Sequence, residues 1–388
     1  MRLSPTRSWP LGLLGMFVLA GAVEYGFARY ESRFTNLSAL QWKEANRRVK
    51  LARGSHVVAM GDSLVSNAVF PAVLEPHLGP GRTAHNLALG GSPFPVTYFL
   101  FRRLLAEGPP PEAVLVDGQM LTFPCGPGSQ GDSLPWASVL KFRDLVELSW
   151  SFGNRDFFAK QALHEALPSL RSAPTLRARV TSLVTGAPFV DPEHLWIYAL
   201  GWNENKGGQV LRDPPAGRPR ARPDHEPGLL GKFRGEWKCD ALQAEYVEKF
   251  LALAEVRGVK VYWLVMPADP VLTRAREADG FWRGYAEFLK GHQSRRQNLT
   301  VVDAHEAAYP EEFMSDVLHI TRTAAVAFSD SLGEVLSRGG ATPRWVVFPR
   351  YDAGRARELA ASVAVPDMET LSRRLTGNAP RPAESIRR

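Results

Sequence analysis

The chain has 388 residues, room for one large α/β domain with an insertion or for two domains of ordinary size. With 45% hydrophobic, 22% charged and 10% aromatic residues, its composition is that of a globular protein that buries a substantial core. The net charge of +7 suits an anionic polysaccharide or a membrane surface. Many basic residues fall in the Pro-rich segments 212–222 and 373–388 rather than on a helix with interleaved aromatics, so no nucleic-acid partner is expected.

At the N-terminus, Arg2 and Arg7 precede an uncharged apolar run of about fifteen residues, from Trp9 to Val23, closed by Glu24. Residues 1–28 therefore read as a signal anchor, or as a cleavable signal peptide ending near Ala20-Gly21-Ala22. The expected location is membrane-anchored on the exported face, or secreted if the segment is cleaved. Basic residues after the run outnumber those before it, so export rests on the likeness to a signal and not on flanking charge. The polar stretch that follows, within residues 29–54, reads as a stalk helix.

Residues 55–124 read as the first part of an α/β core. A short apolar strand at 56–60 runs into Gly61-Asp62-Ser63, and a helix over 68–78 stops at Gly79-Pro80-Gly81. A strand at 83–89 ends at Gly90-Gly91, a helix covers 96–106, and 113–116 is a continuous apolar strand of the buried parallel type. Regular alternation then lapses over 125–239, where helices at 139–150 and 155–170 precede an exposed loop at 213–227 rich in Pro, Arg and Gly. That block reads as a lid-like or partner-binding insertion. Alternation resumes over 240–338, with helices at 241–256, 281–292 and 321–336 and strands at 259–266 and 299–302. A C-terminal extension, 339–388, adds a strand at 345–348, a helical stretch and a polar tail. The fold class is α/β, a parallel sheet with helices on both faces.

The chain contains only two cysteines, Cys125 and Cys239, which rules out Cys-rich zinc sites. Two free buried thiols are expected; the alternative, in an oxidising compartment, is a pair that closes a loop of about 110 residues. There is no Gly-x-x-x-x-Gly-Lys loop and no His pair at helical ligand spacing, so no metal or cofactor is expected.

The chemistry concentrates in two short blocks. Ser63 follows a buried strand and so sits at the carboxyl edge of the sheet, where open α/β folds place their ligands. Gly61 permits a tight turn, and the helix start beyond it offers free N–H groups to an oxyanion. The plainer role for Asp62 or Ser63 is a helix cap. Far along the chain, Asp316 and His319 lie three residues apart just before the last core helix. A serine hydroxyl needs a base to take its proton, histidine suits that task, and a nearby carboxylate orients the imidazole. His305 is the one competing base.

Gly61-Asp62-Ser63-Leu64 and Asp316-x-x-His319, in this order, resemble the end blocks of the SGNH/GDSL hydrolase superfamily. Asn86-Leu87-Ala88-Leu89-Gly90-Gly91 is similar to that family's second block. The resemblance implies a flavodoxin-like core over 55–125 and 240–338. It also implies a Ser63–His319–Asp316 triad and an oxyanion donor at Gly91, with Gly90 as the neighbouring alternative. The family's third block carries an oxyanion-hole Asn; here Val116-Asp117-Gly118-Gln119 has none, leaving Gln119 as the candidate amide. Losing such a donor costs about 10²–10³ in rate, which shifts the expectation from free hydrolysis toward acyl transfer. Anchor, insertion and altered third block together resemble the membrane-tethered subgroup of the alginate O-acetyltransferase and D-alanyl transfer type. That likeness implies an acylated cell-envelope polysaccharide or small ester as substrate and a membrane-bound O-acyltransferase as partner. A catalytically weak envelope scaffold on the same fold is the competing expectation.

Overall fold

The computed structural model describes residues 11–30, 37–118, 120–124, 136–186, 192–211, 235–278, 280–339 and 343–376. The chain divides into two compact units, residues 1–40 with 135–192 and residues 41–134 with 193–388.

The first unit is helical. Its N-terminal helix, Leu11–Tyr30, has 20 residues and is therefore about 30 Å long. Among the described residues it is the one helix long and apolar enough to cross a membrane. Leu13, Leu14, Phe17, Val18 and Leu19 are exposed along it. It packs on the helix Pro168–Thr185, where Glu24 accepts hydrogen bonds from the backbone N–H of Ser169, at 2.9 Å, and from the Ser169 hydroxyl. Helices Phe142–Phe152 and Arg155–Ala166 complete the unit, with Phe157 wedged edge-on between Trp136 and Phe152. The sequence drew one insertion over 125–239, whereas residues 193–211 and 235–239 cluster with the second unit. Cys125, Gln119 and the loop expected at 213–227 lie outside the described residues.

The second unit is α/β, built on a six-stranded, all-parallel sheet. In chain order its elements begin with α1 (Leu37–Leu51, its first residues in the other unit), β1 (Val57–Met60), α2 (Ser63–Ala68), α3 (Pro71–Leu78) and β2 (Ala84–Asn86). There follow α4 (Phe94–Glu107), β3 (Ala113–Val116), α5 (Pro192–Glu204), α6 (Ala241–Val256) and β4 (Lys260–Val265). The chain continues through α7 (Pro270–Ala278), α8 (Phe281–Arg295), β5 (Leu299–Asp303), α9 (Arg322–Ser337) and β6 (Trp345–Val347). It closes with α10 (Ala353–Ser362) and α11 (Met368–Thr376). The sheet order is β2-β1-β3-β4-β5-β6, compatible with the flavodoxin-like doubly wound arrangement. Strands of this kind are covered on both faces, which is why β1 and β3 read as unbroken apolar runs and β4 is buried from Val261 onward.

Alternate strand residues serve opposite faces. Val57, Ala59, Leu115, Leu264 and Val302 pack in one core with Phe70, Leu74 and Phe328 from the chain around α3 and α9. On the other face Phe94 stacks on Trp263 at 5.4 Å and meets Phe250 edge-on. Trp263 Nε1–H donates to the Tyr285 hydroxyl at 2.8 Å, which donates to Gly118 O at 2.7 Å, tying α8 to the exit of β3.

One element differs from the sequence reading. The helix expected over 68–78 breaks at Val69-Phe70, because Pro71 disfavours helical backbone in the residue before it. The stretch expected as a stalk helix is helical over α1 and carries a buried stripe, Trp42, Ala45, Val49 and Ala52. Arg48 is buried as well, its guanidinium donating to the backbone oxygens of Asn86 and Gly207.

Candidate active site

The sheet order reverses direction at β1: the chain leaves it toward β2 on one side and returns to β3 on the other. That crevice beyond the strand ends is where open α/β sheets bind ligands. Met60 pairs in register with Val116, so Gly61-Asp62 and Asp117 leave the sheet side by side. The β1–β2 ladder continues past the strands, with Leu87 N–H donating to Ala59 O at 2.7 Å and Leu89 N–H to Gly61 O at 2.9 Å. This continuation carries the Gly90-Gly91 turn up beside Ser63, where a methyl group built on Gly90 would lie 3.9 Å from Ser63 Cβ.

Gly61 is required twice over. Its φ is +130°, and a Cβ there would overlap Asp117 Oδ1. Asp62 caps α2, its Oδ1 accepting from Leu64 N–H at 2.8 Å, and that cap aims Ser63 at the first helical position.

The opposing group comes from the loop before α9. Met314 and Ile320 bridge antiparallel, Ser315 N–H donates to His319 O at 2.7 Å, and Thr321 N–H donates to Phe313 O at 2.8 Å. Within this closed loop the Asp316 carboxylate divides its work. Oδ1 accepts from the backbone N–H groups of Leu318 and His319, each at 2.8 Å. Oδ2 meets His319 Nδ1 at 2.7 Å, and Oδ1 lies 3.0 Å from the same nitrogen. His319 Nε2 lies 2.8 Å from Ser63 Oγ.

With Asp316 ionised, Nδ1 carries the imidazole proton and Nε2 presents its lone pair to the serine hydroxyl. Burial pulls the His319 pKa down, but the bond to Asp316 and the charges of Asp316 and Asp62 outweigh it, so the pKa is raised above 6.5. Burial pushes Asp316 up, yet the hydrogen bonds from His319 and the loop backbone bring it below the ordinary carboxylate value. Chemically, this is a hydroxyl whose proton has a waiting acceptor and an acceptor whose orientation is fixed from behind.

Ser63, Asp316 and His319, singled out 250 residues apart in the sequence, thus lie in one hydrogen-bonded line. Gly91 is at the turn with φ +69°. Gly90 N–H is taken up by Gln41 Oε1 at 2.8 Å, whereas among the described residues Gly91 N–H has no partner. His305, the competing base, is occupied elsewhere. Its Nε2 meets Glu277 at 3.1 Å, its ring stacks on Trp282, and burial brings its pKa down to about 4.

The sequence assigned no role to Asp117, Gln41 or Trp42. Asp117 is buried beside Asp62, with its Oδ1 accepting from Asp62 N–H at 3.2 Å. Burial, and then the Asp62 charge, push the Asp117 pKa well above its ordinary value. Burial also pushes Asp62 up, to about 6. A charged residue set directly after a four-residue apolar strand was the available signal for Asp117. Cys239 is a half-buried free thiol, pushed up to about 12 by burial.

No family model and no curated protein matches this chain.

Proposed function

We propose that this chain is an SGNH-type serine enzyme of acyl transfer, an acyl esterase or O-acyltransferase working through an acyl-serine intermediate. The observation that carries the reading is the line from Asp316 Oδ2 to His319 Nδ1 at 2.7 Å and from His319 Nε2 to Ser63 Oγ at 2.8 Å. In this mechanism Ser63 Oγ attacks the ester carbonyl carbon while its proton passes to His319 Nε2. The carbonyl electron pair moves onto oxygen, toward the Gly91 N–H and the Ser63 N–H. Collapse of the tetrahedral species expels the alcohol, which takes the proton from Nε2. Water or an acceptor alcohol then resolves the acyl-serine with the same histidine as base. Asp316 stabilises the imidazolium in both halves and is not itself protonated.

The proposed setting is the exported face of a membrane, with the Leu11–Tyr30 helix as an uncleaved anchor. The proposed substrates are acylated cell-envelope polysaccharides or similar esters, with a membrane-bound O-acyltransferase as partner. Transfer is favoured over hydrolysis because Gln119 stands where the resembled family has its Asn. The same substitution favours a second reading, an envelope scaffold with little turnover. Wild-type protein is expected to turn over p-nitrophenyl acetate and to label with a fluorophosphonate, and Ser63→Ala to do neither. A well-folded wild type that neither labels nor turns over would sink the enzymatic reading.

A further inference from the structure

We propose that Gln41 and Trp42, neighbours on α1, are positioning residues that aim the Gly91 N–H at the oxygen that becomes anionic during acyl transfer; this rests on the acyl-transfer reading above. Their side chains grip both polar groups of one glycine. Gly90 N–H donates to Gln41 Oε1 at 2.8 Å, and Trp42 Nε1–H donates to Gly90 O at 3.0 Å. In a trans peptide the C=O and the following N–H lie in one plane and point in opposite directions within it. Holding Gly90 O toward Trp42 therefore turns the Gly91 N–H the other way.

The same amide reaches the nucleophile's own helix. Gln41 Nε2 donates to the Ser66 hydroxyl at 3.2 Å, one turn along α2 from Ser63. One side chain thus spans the oxyanion turn and the helix that presents the serine. Both residues are buried, Gln41 at 3% and Trp42 at 0% exposure, so these bonds form away from competing water. Packing alone asks for no polar atoms at such positions, and Leu and Phe would fill the space. α1 instead delivers one acceptor and one donor to a turn whose N–H direction is free to vary, because glycine flanks it on both sides. An oxyanion donor works by being fixed before the charge develops, so a clamp on its peptide plane acts on rate rather than on substrate affinity.

The clamp also selects between the two glycines. With the Gly90 N–H consumed by Gln41, Gly91 carries the donor left for the substrate. Competence of the site then depends on a segment that begins seven residues after the apolar N-terminal helix ends.

The test uses the full chain with Gln41→Met, which keeps the length of the side chain, and Trp42→Phe, which keeps an aromatic ring. Turnover of p-nitrophenyl acetate and inhibition by phenylboronic acid, whose serine adduct places an oxygen in the oxyanion position, are measured beside a thermal melt. For each variant kcat is expected to fall about 10–100-fold, less than the loss of a whole donor. KM is expected to stay within about threefold, and the inhibition constant of the boronate to rise in step with the fall in kcat/KM. Variants that fold and keep wild-type kcat, or that lose kcat while binding the boronate unchanged, overturn the proposal. A wild type that shows no Ser63-dependent turnover overturns the acyl-transfer reading itself, a different and separately visible outcome.

Discussion

Replacing Asp316 with Asn should do more harm than removal of one charge suggests, and the geometry says why. Asp316 Oδ1 accepts two backbone N–H groups, from Leu318 and His319, each at 2.8 Å. In Asp316→Asn the amide oxygen must take that place, since the amide nitrogen cannot accept. The NH₂ is then forced into the Oδ2 position, 2.7 Å from His319 Nδ1. Two donors cannot face each other at that distance, and the amide oxygen 3.0 Å from Nδ1 is already taken up by two backbone N–H groups, so the imidazole is driven toward the tautomer with its proton on Nε2 and Nδ1 as acceptor. Nε2 is the atom that meets Ser63 Oγ at 2.8 Å, and with a proton on it the base is gone. Loss of general-base assistance is worth about 10²–10⁴ in rate, or about 3–5 kcal/mol in the barrier. The assay is fluorophosphonate labelling and p-nitrophenyl acetate turnover from pH 5 to 9. In the wild type the rate should rise with pH through the His319 pKa, whose midpoint lies above 6.5. In Asp316→Asn the residual rate should have its midpoint shifted down, because the bond and charge that raise the pKa are removed while burial remains. A variant within threefold of wild type at pH 8, or a slower one with an unmoved midpoint, would refute the reasoning.

Two further outcomes follow from the same structure. Asp117 has its pKa raised in the folded state, so the stability it contributes is complete below its unfolded pKa and is lost as pH rises toward the folded value. Asp117→Asn carries no such debt, and denaturant titration should show it gaining on the wild type by up to about 1.4 kcal/mol per pH unit across that window. Equal stability differences at pH 5 and pH 9 would contradict this. The full chain should sediment with membranes, resist alkaline carbonate and release only in detergent, through the exposed apolar face of Leu11–Tyr30. Recovery of intact chain in the soluble fraction would tell against an anchor.

What the sequence made legible was local. β3 and α6 are bounded in the structure as the apolar runs and the Gly258 stop suggest, because burial on both faces and helix termination are short-range properties. The Asp-x-x-His pairing was legible for the same reason, a carboxylate folding back within a single loop. The 2.8 Å contact between Ser63 and His319 spans 256 positions and was inferred from residue types alone. The burial of α1 was visible in principle as Trp42, Ala45, Val49 and Ala52 at helical spacing, but Lys43, Glu44, Asn46, Arg47 and Lys50 between them gave the stretch a polar look. The break at Pro71 was equally readable. The pairing of Asp62 with Asp117 was not, because it depends on the register that sets Met60 opposite Val116.

That pairing bears on how the base can work at all. His319 sits in the field of Asp316 and of Asp62, and both raise its pKa. Two buried carboxyls side by side do not both ionise cheaply, and burial together with the Asp62 charge pushes the Asp117 pKa well above its ordinary value. Asp62, whose Oδ1 accepts from the Leu64 N–H at the start of α2, is the member of the pair whose charge raises the His319 pKa. Under the acyl-transfer proposal, the Asp62 charge directly before Ser63 favours the imidazolium that forms when His319 takes the serine proton.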